Sequence, residues 1–439
     1  MLNNQVIENA YDWIAGDSES HACDGIPDDA CEHVPRNFFL NAVNGTLTKL
    51  ADQLVAPGLV LTWFLDVLGA PASVIGFLTP VRQASALLPQ LVISGQIRRF
   101  PVRKWFWCAG AIGFGLAVLL MIPVGILFSG LIAGVLIVLL LALGSLSRGV
   151  SSISFKDVVA KTIPQSSRGT LLATRATTGG ILALAAGLLI KIQFSNSQNI
   201  APYLGIIGLA GLLWVSSSVL TAFQVEVEGE TAESRNPIDE ANAGLELLKG
   251  SSDFRNYVLA RSILLSIELS LPYYTLFARR LTNGSVGDLG IFVIAASLSQ
   301  VISSPFWGRL ADRASRVAMV AASLTAALAG GLYLGIGNLF TQQVNPYLAA
   351  VPLLLLGFAI SGVRIGRKTY LVDVAPSVNR PLFVAISNTI TGLLTLLGIG
   401  LGFIVDAFGV QILLLILVGL AILGIAISWR LPSVEDFRS

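Results

Sequence analysis

The chain has 439 residues, 54% of them hydrophobic and 12% charged, with a mean hydropathy of +0.76. A soluble fold of that composition would carry far more apolar surface than one core can bury, so soluble enzymes and nucleic-acid binders are excluded and a polytopic membrane protein remains. The net charge of +2 says little by itself, because the distribution of the charges, not their sum, sets topology in a membrane.

Residues 1–37 form an acidic, polar tail with no apolar run, so no cleaved signal peptide is expected ahead of the first span. Both histidines and two of the three cysteines lie in this tail, as His21-Ala22-Cys23 and Cys31-Glu32-His33. Sulfur and imidazole in that order make His21, Cys23, Cys31 and His33 candidate ligands for zinc or copper. A Cys23–Cys31 disulfide is the rival reading, and a chance cluster in a disordered tail is the bland one. No other cofactor is expected.

Twelve apolar stretches of about 20 residues or more follow, near 40–65, 72–94, 105–127, 130–160, 169–193, 201–223, 256–279, 287–307, 317–339, 346–370, 382–405 and 409–429. Alternation of period two is absent, so these spans, numbered 1 to 12, are predicted to be helices and not barrel strands. The predicted fold is all-α, with twelve transmembrane helices in two six-helix bundles. Lys and Arg crowd every second gap: Arg98, Arg99, Arg103 and Lys104, then Arg148, Lys156, Lys161 and Arg168, later Arg309, Arg313 and Arg316, and then Arg364, Arg367, Lys368 and Arg380. By the positive-inside rule these gaps and both termini face the cytoplasm of a cell bounded by the plasma (inner) membrane. Only Arg279 and Arg280 break the alternation.

The acidic stretch 225–254 divides the spans six and six, which assigns 38–224 to a first bundle, 225–254 to a linker, 255–430 to a second bundle and 431–439 to a short tail. The halves share a faint repeat. Arg36-Asn37 matches Arg255-Asn256 at a spacing of 219, Gly95 and Arg103 match Gly308 and Arg316 at 213, and Pro164, Arg168, Ala173, Thr177 and Gly180 match Pro376, Arg380, Ala385, Thr389 and Gly392 at 212. A near-constant offset is what a duplicated transporter leaves in its sequence.

Gly308-Arg309-Leu310-Ala311-Asp312-Arg313-Ala314-Ser315-Arg316, between spans 8 and 9, resembles the G-x-L-a-D-R-x-x-R signature of the major facilitator superfamily. The resemblance extends over the whole chain through the span count, the six-and-six split and the long central loop. It implies a gating loop at Gly308, Asp312, Arg313 and Arg316, and a central cavity lined by spans 1 and 7. The copy in the first half, Gly95-Gln96-Ile97-Arg98-Arg99, has arginine where the acid should be, so a lock there is expected to be altered or missing.

Ionisable groups deep in a bilayer cost several kcal/mol unless paired or wetted. Lys49 and Asp52 share one face of span 1, about 20 Å past Arg36. The 219 spacing places Lys49 opposite Glu268 of span 7, and Arg82 adds a cation beside Pro80 in span 2. Lys49, Asp52, Arg82 and Glu268 are therefore the expected transport and proton-coupling set, with a static ion pair as the alternative. Arg175 and Lys191 in span 5 are expected to snorkel to opposite faces, and Arg148 to lie outside any family motif. Gly-rich spans 5 and 11 suit close helix packing.

No phosphate-binding loop and no nucleophile, base and orienter set is present in the sequence, so the expectation is not an enzyme but a secondary carrier. Its expected partners are a small polar or amphiphilic solute, protons and the lipid bilayer, with no nucleic acid and a monomeric state. A metal exporter using the tail, or a non-transporting assembly factor for a lipid or pigment, is the alternative.

Overall fold

The computed structural model of the chain describes residues 11, 26–87, 96–97, 99–195, 197–229, 246, 248–282, 284–340, 343–374 and 380–432. Helices occupy almost all of these, with no strand among the described residues. Nine helices among them are long and apolar enough to cross a membrane. They hold ten of the twelve expected spans, because spans 8 and 9 run together as Val286–Leu339. Spans 2 and 7 are not among them: span 2 runs as Ala72–Ile75 and Leu78–Leu87 to the edge of the described residues, and span 7 is Ser252–Leu269, which carries Asp253, Arg255, Arg261 and Glu268, followed after a break by Leu271–Leu281.

The breaks have local causes. In span 1 the helix Val34–Leu54 gives way to a π-helical turn, Pro57–Leu61, before Thr62–Val67 resumes. Pro57 has no N–H to continue the ladder, and Thr62 Oγ1 donates to the Pro57 carbonyl at 2.7 Å. Span 7 breaks at Ser270, immediately before Leu271-Pro272. The two breaks meet across the halves, where Thr275 Oγ1 donates to the Gly58 carbonyl at 2.7 Å. A carbonyl freed by one kink is thus satisfied by the other half of the molecule.

The expected loop between spans 8 and 9 is instead helical throughout, apart from a kink at Ala314 (φ −155°, ψ 83°). The signature therefore rides on a bent helix. It holds no proline and few poor helix formers, so nothing in 308–316 forces the chain to unwind.

Leucines such as Leu116, Leu139, Leu188, Leu212, Leu328 and Leu415 are exposed on the outer faces, which is the surface a hydrocarbon solvent requires. The two ends of the bundle differ. Arg36 Nη2 donates to Phe223 O at 3.1 Å and Arg316 Nη1 to Leu431 O at 2.8 Å, so both chain ends and the linker share one end, here the terminal end.

The described ties between the halves lie at the opposite, far end. Asp66 at the end of span 1 pairs with Arg279 of span 7. Asp406 of span 11 accepts the backbone N–H groups of Ala72 and Ser73 at 3.0 and 2.8 Å, capping the start of span 2 from the other half. Val286 N donates to Ser197 O at 2.8 Å.

Glycines let the backbones touch there. A Cβ on Gly402 would sit 2.5 Å from Ala72 O, and one on Gly290 would sit 2.6 Å from Lys191 N and 2.7 Å from Gly187 O. Spans 2 and 11, and spans 5 and 8, therefore meet main chain to main chain. Nearer the terminal end spans 5 and 8 diverge, and a cavity of about 430 Å³ opens between them, lined by Lys49, Gln53, Thr177, Ser297, Gln300 and Ser304 among others.

Candidate functional site

Asp52 lies one turn before the break in span 1. Arg148 of span 4 grips it with both terminal nitrogens, Nη1 to Oδ1 and Nη2 to Oδ2, each at 2.5 Å. Arg82 of span 2 adds a third contact, Nη2 to Oδ1 at 3.2 Å. The Arg148 guanidinium also sits over the rings of Phe114 and Trp214, 5.6 and 5.3 Å from their centroids, which fixes its plane. A two-pronged guanidinium and carboxylate pair of this kind is the strongest and most directional ion contact a protein makes.

Glu268 lies just before the break in span 7. Arg364 of span 10 donates through Nε to Oε2 at 3.0 Å, and Arg367 brings Nη1 within 2.9 Å of Oε1, a charge contact without good hydrogen-bond alignment. Asp52 and Arg148 are 96 residues apart, and so are Glu268 and Arg364. Each half therefore carries the same device, an acid on its first span held by an arginine on its fourth. This correspondence equates Glu268 with Asp52 and not, as the 219 spacing suggested, with Lys49.

The remaining expectations fare differently. Lys49 does not pair with Asp52 and instead projects, exposed, at the wall of the cavity between spans 5 and 8. Arg82 does reach Asp52, while Asp52 and Glu268 sit in separate clusters and do not contact one another. Arg364 and Arg367, counted in the sequence among loop charges, lie within the helix Pro346–Val374, which is longer than a span needs to be. Arg148 likewise sits well inside Gly130–Thr162.

Arg175 does not snorkel. It turns inward, bonding Asn41 and stacking over Phe155 at 4.3 Å. Its opposite number is inverted: Arg261 on span 7 bonds Ser387 and Asn388 on span 11.

At the terminal end Glu226, the second residue of the stretch 225–254 expected to be linker, has a fully buried side chain. Its carboxylate accepts from the backbone N–H of Arg103 at 3.0 and 2.9 Å and of Lys104 at 2.6 Å, and from Lys161 Nζ at 3.0 Å. Span 3, Lys104–Leu127, begins with two cations against the positive end of its own dipole, and Glu226 relieves that conflict. Arg103 also pairs with Asp157 of span 4. Residues 225–229 thus belong structurally to the first bundle. Glu226→Gln should lower stability by about 1–3 kcal/mol, read as the unfolding midpoint of purified protein in detergent. An unchanged midpoint would show that the carboxylate caps nothing of consequence.

Of the tail ligands, His21 and Cys23 lie outside the described residues. Cys31 is disulfide-bonded, so it offers no thiolate to a metal, and His33 stands at the start of span 1. This corrects the tail site as far as Cys31 is concerned, because a sulfur committed to a disulfide cannot also be a charged ligand. No group of three or more His, Cys, Asp or Glu side chains among the described residues is placed to hold a metal.

The same architecture recurs in solved structures. A POT family transporter in complex with 5-aminolevulinic acid superposes with a TM-score of 0.69 at 10% identity, over 90% of this chain and 95% of that one. A D-xylose-proton symporter gives 0.64 at 12% identity, over 91% and 98%. At such identities the likeness is one of fold. The family model described as Major Facilitator Superfamily matches residues 258–437. The second half of the chain is thus similar in sequence to the major facilitator superfamily.

Among curated relatives, the uncharacterized protein Rv2209 of Mycobacterium tuberculosis is 24% identical over 294 residues, which is 66% of this chain and 57% of that protein. Magnetosome protein MamZ of Magnetospirillum gryphiswaldense is 31% identical over 125 residues, 28% of this chain and 18% of its own. The matches therefore span little more than half of the first relative and a small part of the second.

Within the superfamily signature, Asp312 and Arg313 are exposed and Asp312 makes no ion pair among the described residues, while Arg316 stacks over Trp429 at 5.4 Å. In the first half, where the signature acid is replaced by arginine, Glu226 supplies a carboxylate to the start of span 3 from another helix end. No local signal marks Glu226, but the 96-residue spacing of Asp52–Arg148 and Glu268–Arg364 is present in the sequence and, read at an offset of 216, locates both pairs.

Proposed function

We propose that the chain is a secondary transporter that moves a small polar or amphiphilic solute by alternating access, coupled to protons through Asp52 and Glu268. The observation that carries this reading is the asymmetry between the ends. The halves touch backbone to backbone at Gly187, Gly290 and Gly402, yet part between spans 5 and 8 toward the terminal end. With the basic gaps facing the cytoplasm of the plasma membrane, this is a carrier closed to the outside and open inward.

The paired acids supply the coupling. A proton taken up by Asp52 removes the anchor of Arg148 and Arg82, and one taken up by Glu268 releases Arg364 and Arg367. Either event frees guanidiniums near the seam and so changes what the cavity can bind as it changes sides. The bent helix carrying Gly308, Asp312, Arg313 and Arg316 would close the terminal end in the opposite state, with Asp312 then finding the helix end or cation it lacks here.

The test is flux in liposomes holding the full-length protein under an imposed proton gradient, with pooled solutes, for wild type, Asp52→Asn and Glu268→Gln. Solute-dependent proton movement in wild type that drops by tenfold or more in either variant supports the proposal. Solute movement with proton flux equal in all three proteins would remove both acids from the coupling.

A further inference from the structure

The two clusters carry more positive charge than their acids can balance. Four guanidiniums, Arg82, Arg148, Arg364 and Arg367, face two carboxylates, Asp52 and Glu268, which leaves two positive charges uncompensated at the seam between the halves. Such an excess in a low-dielectric setting is costly unless something negative arrives to answer it.

Each carboxylate oxygen of the two acids also already faces a guanidinium. Arg148 occupies both oxygens of Asp52, and Arg364 and Arg367 take one oxygen each of Glu268, so a cationic solute finds no free carboxylate. Arg364 is the reverse case. Its side chain is 51% exposed and only its Nε is bonded, so the terminal fork of Nη1 and Nη2 has no partner among the described residues. Across the seam, Leu269 Cδ1 and Pro80 Cγ both lie within 3.4 Å of where a Cβ on Gly398 would sit, which brings the helix turns bearing Glu268 and Arg82 together. Arg148 beside Arg82 is held in a fixed plane by Phe114 and Trp214.

We propose that this seam is an anion site in which the free fork of Arg364 grips a solute bearing a carboxylate or phosphate group, while the Arg82–Arg148 pair of the other half supplies positive charge to it. The inference rests on the transporter reading and names its substrate class. Planar forks recognise such groups two prongs at a time, which a lone ammonium such as Lys49 does not. Because its walls belong to different halves, an anion bound there also draws the halves together, which is the contact an alternating-access cycle needs.

The test is equilibrium titration calorimetry on the purified full chain in detergent, at constant ionic strength and with no proton gradient. The probes are glutarate and phenyl phosphate, with glutaramide and cadaverine as neutral and cationic controls of matched length. Saturable binding of at least one anion, weakened roughly tenfold or more by Arg364→Gln and largely kept by Arg364→Lys, is the expected result.

Glu268 keeps Arg367 in both variants, so the carboxylate is not stranded. Arg309→Gln, at an exposed position that belongs to neither ion cluster, controls for loss of charge alone and should bind as wild type does. Binding of glutaramide or cadaverine as tight as that of the anions, no saturable binding of either anion, or anion affinity unaltered by Arg364→Gln would overturn the proposal. Since no gradient enters the measurement, anion binding without flux in liposomes would leave this site standing and remove the transport reading. Flux of a cationic solute would do the opposite.

Discussion

Gly402→Val should hold the two halves apart at the far end and stop transport. A Cβ at that position falls 2.5 Å from Ala72 O and 2.8 Å from Ser73 Cα, both of them backbone of the opposite half that no side-chain rotation can move aside. The same contact zone carries the Asp406 cap on Ala72 and Ser73, so the intruding methyl groups also pull a carboxylate away from the helix end it neutralises. Within one half nothing need change, because the clash is confined to the seam, and the protein should still fold.

The far-closed state loses several kcal/mol relative to the far-open one, enough to invert a two-state population. Spin labels at Phe128 and Phe340, which are exposed at the far ends of spans 3 and 9, should move apart by several ångströms, while flux falls at least tenfold. Gly290→Val should act alike through Lys191 N and Gly187 O. Unchanged label distances in both variants would mean that the glycine contacts do not hold the far end shut.

The second large effect concerns charge left without its partner. Asp52→Asn removes the only acid in contact with Arg148 and Arg82 among the described residues, and two guanidiniums are then left side by side without it. Breaking a pair in this way should cost about 3 kcal/mol in unfolding free energy, seen as a lower midpoint in detergent. Arg148→Gln should cost less, since Arg82 still answers Asp52. The double variant Asp52→Asn/Arg148→Gln should recover much of the loss, because only one guanidinium is then unpaired. Additive losses would mean that the two side chains do not depend on each other. The parallel cycle at Glu268 should be milder for the arginines, since Arg364 and Arg367 share one acid and either can remain.

These two expectations separate what the helices do from what their charges do. In the proposed cycle the glycine seam would set which end is shut, and the ion clusters would set which solute is accepted. A carrier needs both, and they sit on different helices: the seam on spans 2, 5, 8 and 11, the charges chiefly on spans 1, 4, 7 and 10 with Arg82 between them.

The amino-acid sequence by itself determined the membrane class, the helical nature of the spans, most of their limits and the division into two related halves. These follow from run length, composition and the placement of basic residues, all of which are local quantities that a bilayer reads one segment at a time. Close packing by spans 5 and 11 was legible for the same reason, since glycine content is visible residue by residue. The pairing of charges was not. Asp52 lies 96 residues from Arg148, and Glu226 caps a helix start more than 120 residues away, so proximity along the chain favoured Lys49 instead.

Tertiary structure alone decided which face of each long helix turns inward, and therefore that Arg148 turns to Asp52 and that Arg364 and Arg367 turn to Glu268. It also decided that Arg175 bonds Asn41 and does not reach for the headgroups. The physical reason is common to all of these. A charge in a low-dielectric interior must be answered by an opposite charge or a dipole at about 3 Å, and only the rotation and register of packed helices determine which groups come that close.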